Sequence, residues 1–66
     1  MSMGEILKQL RGNRTQEEMA AEIGVTKSSY SMYERNERTP RDEVKVRIAR
    51  VLGISVEKLF FEQFEH

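Results

Sequence analysis

A compact all-α domain of five short helices is predicted for this chain of 66 residues, and three observations predict it. Apolar residues recur at spacings of three and four in successive short segments, the period of a helix with one buried face. Between those segments stand a hydroxyl or a proline on one side and glycine or asparagine on the other, the punctuation of helix starts and stops. No stretch alternates with period two for long enough to make a strand. The length suits one domain, taken as residues 1–66, that buries only roughly 60% of its unfolded surface. The absence of cysteine removes disulfides and thiolate metal sites together, so regular helices must carry the fold.

The first helix places Met3, Ile6, Leu7 and Leu10 on one face and ends at Gly12-Asn13. Met19, Ala20 and Ile23 make a short second helix that Gly24 stops. A third begins near Thr26 and ends around Glu34, with Tyr30 and Tyr33 inward and Asn36 suited to the left-handed position that follows. Val44, Ile48, Val51 and Leu52 define a fourth, entered through Thr39-Pro40 and left through Gly53. The last runs from Ser55 to about residues 63–64, with Val56, Leu59 and Phe60 facing in.

The first turns of these helices separate one from the rest. Ser2 with Glu5, Thr15 with Glu18 and Thr39 with Asp42 each have the spacing of a capping box, and Glu57 complements the dipole of the last helix. The third helix opens Thr26-Lys27-Ser28-Ser29, with no acid and with a lysine where the macrodipole is already positive. That start is prepared for an external anion, such as a phosphate, or for the acceptor edge of a base. At about 100° per residue, inward tyrosines turn Ser28, Ser31, Met32 and Arg35 outward with Lys27 at the flank. An ordinary solvated face would mix Glu and Lys there.

Charge alone does not identify a partner. Eleven Lys and Arg balance eleven Asp and Glu, with seven cations against six acids up to Arg41 and four against five from Asp42 onward. No apolar run is long enough to cross a membrane, and the N-terminus lacks a signal-peptide core. A cytoplasmic location is expected. An enzyme is the least supported reading, because the one histidine is His66, no acid or histidine cluster has metal-ligand spacing, and no glycine-rich phosphate loop occurs. No metal, cofactor or small-molecule ligand is expected.

Gln16 to Glu34 matches a helix-turn-helix, placed at about residues 16–35: Ala20 is small where two helices cross, Gly24 supplies the turn, and Met19, Ile23, Val25, Tyr30 and Tyr33 hold the second helix across the first. With Leu10-Arg11, Thr15-Gln16-Glu17-Glu18-Met19-Ala20, Gly24-Val25-Thr26-Lys27-Ser28-Ser29, Tyr33-Glu34-Arg35-Asn36, Pro40 and the run Ile48 to Phe60, the chain resembles the Xre/Cro/C1 family of helix-turn-helix regulators, whose fold is that of the lambda repressor. The likeness extends from Gly4 to Phe60. It departs from the family pattern at Asn36, where glycine is usual, and in the link Gly12-Asn13-Arg14, which is shorter than the commonest form and expected to shift or shorten the first helix.

The resemblance implies a sequence-specific binder of double-stranded DNA, a transcriptional repressor of bacterial or phage origin that acts as a homodimer. Lys27, Ser28 and Met32 match positions that reach base edges in the major groove. Gln16, Thr26, Ser29, Arg38 and Arg41 match positions that meet the sugar-phosphate backbone. Arg11 and Glu34 match a buried structural pair, in which removing one partner strands the other charge at roughly 3–5 kcal/mol. Phe61 and Phe64 are surplus apolar area on the last helix and are expected to form the dimer interface. The alternative is an antitoxin or anti-regulator that grips another protein through the same fold, which a net charge of zero favours.

Overall fold

The computed structural model describes residues 2–60, the Phe60 side chain excepted, and contains five helices: α1 (Met3–Arg11), α2 (Gln16–Ile23), α3 (Lys27–Glu34), α4 (Asp42–Leu52) and α5 (Val56–Phe60). No strand occurs among the described residues. Full capping boxes start α1 at Ser2 and α2 at Thr15, each hydroxyl accepting from the backbone N–H three residues on while that residue's carboxylate accepts from the cap. Gly24 and Gly53, both left-handed, close α2 and α4.

The α3 helix lies across α2 and against α1, while α4 packs on α2, and α5 bridges α4 and α1. Between them sit Leu7, Met19, Ala20, Ile23, Tyr30, Tyr33, Val44, Ile48 and Leu59, all buried. Met3, Ile6, Val25, Val51, Leu52, Ile54 and Val56 close over this cluster from its edges. Burial of this kind, distributed over all five helices, holds them at fixed angles and so fixes what α3 presents outward.

Two local expectations need correction. Leu10 is 38% exposed, because the line of α1 facing α3 runs through Gly4, Leu7 and Arg11 and turns Leu10 to the flank. Thr39 does not cap α4: Pro40 is buried and the helix starts after it, with Arg41 at the N-cap and no side-chain cap bond. Asp42 and Glu43 in the first turn oppose the exposed dipole there instead. At the short link α1 ends at Arg11, and Arg14 folds back to donate to the carbonyls of Arg11 at 3.2 Å and Leu10 at 3.1 Å. The expected inward side chain of Phe60, and Phe61 and Phe64, lie outside the described residues.

Asn36 follows α3 in the left-handed region with φ of 60°. Its side chain explains why an asparagine serves where glycine is usual: Oδ1 accepts from the Gly4 N–H at 3.0 Å and Nδ2 donates to the Ser2 hydroxyl at 3.0 Å. The start of α1 is thereby fastened to the end of α3. Gly4 sits so close there that a Cβ would overlap the Glu34 carbonyl oxygen.

Candidate functional site

The exposed side of α3 is built from its cap outward. Thr26 stands at the N-cap in extended conformation, and its hydroxyl accepts from the Ser29 N–H at 3.1 Å. No acid lies in the first turn. The only acid on the helix is Glu34, whose side chain is 4% exposed and bound elsewhere. Lys27, Ser28, Ser31, Met32 and Arg35 therefore line one shallow depression with no carboxylate from α3 in it. The Arg35 guanidinium is tied across this surface, donating to Ser31 Oγ at 2.9 Å and pairing with Glu37 at 3.0 Å. Cationic and hydroxyl donors dominate the depression, with the Met32 thioether as its apolar member.

On the other flank of α3 an open groove of about 660 Å³ runs towards the first turns of α4. Val25, Tyr33 and Val44 contribute its apolar lining, and Ser29, Arg38, Arg41 and Arg47 its hydroxyl and cations, with Glu43 as its only acid among the described residues. Ser29 Oγ accepts from Thr26 Oγ1 at 3.1 Å and from Arg38 Nη1 at 3.4 Å, which leaves its own proton to donate outward. Arg41 and Glu43 are 3.9 Å apart and both project into solvent, a separation at which an exposed pair contributes little.

At the far end of α3 the Arg11 guanidinium clasps the Glu34 carboxylate, Nε to Oε2 at 2.7 Å and Nη2 to Oε1 at 3.3 Å. Gln16 Nε2 donates to the same Oε1 at 2.9 Å, so one carboxylate joins α1, α2 and α3. Burial pushes the Glu34 carboxyl up, but the bonds from Arg11 and Gln16, with the Tyr30 hydroxyl nearby, outweigh it and hold the group below the usual carboxylate value. The Tyr30 hydroxyl is buried beside this cluster without a hydrogen bond of good geometry; burial, and then the Glu34 charge, pushes its pKa up.

The structure thus gathers Lys27, Ser28 and Met32 on one flank of α3 and Ser29, Arg38 and Arg41 on the other, with Thr26 at the shared N-terminus. Gln16 lines neither surface and bonds Glu34 instead. Arg47 and Thr39 also line the second groove and were not singled out from sequence. The available signal was that Glu43, Val44 and Arg47 share a face once α4 starts at Asp42; which neighbour that face meets is a tertiary matter.

Among the described residues no helix is long and apolar enough to cross a membrane, and no group of acids or histidines is arranged to hold a metal ion. A family model described as helix-turn-helix matches residues 7–59. The cryptic phage CTXphi transcriptional repressor RstR of Vibrio cholerae is 47% identical over 47 residues, a match covering 71% of this chain and 42% of that protein. The chain therefore spans less than half the length of this curated relative. No solved structure matches it.

Proposed function

Because the chain belongs to the helix-turn-helix family of Xre/Cro/C1 type, over residues 7–59, we propose that it binds double-stranded DNA through α3 in the major groove and represses transcription. The observation that carries this reading is the outer surface of α3, exposed, cationic at its start and free of acid, in a chain whose overall charge is zero. Lys27 suits guanine O6 and N7, Ser28 pairs with several bases, and Met32 offers an apolar contact to a thymine methyl. Gln16, Thr26, Ser29, Arg38 and Arg41 are assigned to the sugar-phosphate backbone, where they set register and supply affinity without reading sequence. The Vibrio cholerae relative is a phage transcriptional repressor, which supports repression over activation.

A domain this small covers few base pairs, so the reading includes a homodimer formed through the C-terminal segment with Phe61 and Phe64, acting in the cytoplasm. Selection from a randomised duplex pool tests it. Enrichment of a palindrome with half-sites about 34 Å apart is the expected result. A folded protein that enriches no duplex would overturn DNA recognition in favour of a protein-binding antitoxin or anti-regulator.

A further inference from the structure

The groove beside α3 draws cations from two separate parts of the chain. Arg38 and Arg41 come from the segment before α4, and Arg47 comes from within α4. On sequence spacing Arg47 is the natural i+4 partner of Glu43, in the favourable orientation with the acid N-terminal. The structure does not make that pair: Glu43 approaches Arg41 instead, and Arg47 has no ion pair among the described residues. Its guanidinium reaches across to the turn between α2 and α3, the Cζ atom lying 4.0 Å from where a Cβ on Gly24 would stand.

Among the described residues the groove therefore holds three arginines and one acid, in a chain with eleven of each sign, and the acid is loosely held by Arg41. Such an excess repels itself in the free protein and attracts an anion. The Ser29 hydroxyl, which already accepts from Thr26 and Arg38, has its proton left for an outside acceptor in the same groove. A phosphodiester has the charge and the several acceptor oxygens to take bonds from all of these donors at once.

We infer that Arg47 is a backbone-binding residue of this protein, completing with Ser29, Arg38 and Arg41 a seat for a phosphate on the strand that borders α3. The inference rests on the DNA-binding reading and extends it to a helix outside the helix-turn-helix. Because the contact is to phosphate, Arg47 contributes to affinity on every duplex and to none of the choice between sequences.

Duplex binding measured by fluorescence anisotropy over a range of salt, on a pool-selected and on a scrambled duplex, tests this. Arg47→Gln, which keeps a polar stem beside the Gly24 turn and removes the charge, is the first variant and Arg47→Ala the second. Arg50→Ala on the same helix, outside the groove, is the control. Both Arg47 variants are expected to lose about tenfold in affinity on both duplexes and to flatten the slope of log K against log salt by about 0.9, with unchanged urea midpoints. Arg50→Ala is expected to keep the wild-type slope. Wild-type slope and affinity in the Arg47 variants, alongside a loss in Arg38→Ala, would overturn the role of Arg47 and leave DNA binding intact. A wild-type protein that binds neither duplex would overturn both.

Discussion

At the scale of single residues, close approach decides more than side-chain character does. Gly4 lies in the first turn of α1, where alanine would ordinarily improve helix propensity by up to about 1 kcal/mol. Here a Cβ meets the Glu34 carbonyl and comes within 2.9 Å of Asn36 Nδ2, and the carbonyl is backbone that cannot swing aside. Gly4→Ala is expected to lower stability by about 1–3 kcal/mol in urea unfolding, because forcing the helices apart outweighs propensity. An alanine variant as stable as the parent would show that α1 is free to slide on α3. Asn36 belongs to the same joint: its left-handed backbone was legible from residue type, whereas its bonds to Gly4 and Ser2 join positions far apart in the chain and were not.

At the scale of elements, the proposed DNA recognition divides the work between α3 and the segment after it. Lys27 lines the depression on the outer face and Arg38 lines the groove on the flank, so on the DNA-binding reading loss of each has a different signature. Lys27→Ala is expected to relax preference at one base position, by about 1–3 kcal/mol of discrimination. Arg38→Ala is expected to weaken all duplexes by a similar factor and to reduce the salt slope by about 0.9. Affinities on matched and scrambled duplexes check both, and equal losses on the two duplexes for both variants would refute the division. Helix starts at Ser2 and Thr15 were readable because a capping box is local; the start of α4 was not, since Pro40 is buried and the N-cap falls at Arg41, two residues past the Thr39 hydroxyl.

At the scale of the whole molecule, one carboxylate couples three helices. Arg11 of α1 and Gln16 of α2 both bond Glu34 of α3, and the Glu34 pKa is lowered in the fold. A carboxylate whose folded pKa lies below its unfolded value of about 4.3 contributes stability that is full above that value and is lost as pH falls through the folded value. Glu34→Gln is accordingly expected to cost about 3 kcal/mol near neutral pH, by leaving the Arg11 charge unpaired. The difference between the variant and the parent should shrink as pH falls below about 4. Urea midpoints from about pH 3 to pH 7 measure this, and parallel curves for the two proteins would show that the clasp contributes nothing to folding.

Apolar period, capping spacing and the glycine stops determined the five helices, their order and the outward face of α3, because each depends on residues within one or two turns of one another. The acid-free start of α3 was legible for the same reason. Only the tertiary structure decided that α1 faces α3 along Gly4, Leu7 and Arg11, leaving Leu10 at the flank, and that Arg47 leaves its helical neighbour Glu43 to reach the Gly24 turn. Periodicity defines a face but not what lies opposite it. That is set by the burial of Tyr30, Ile48 and their neighbours, which fixes the angles between helices and with them the distances across which charges meet.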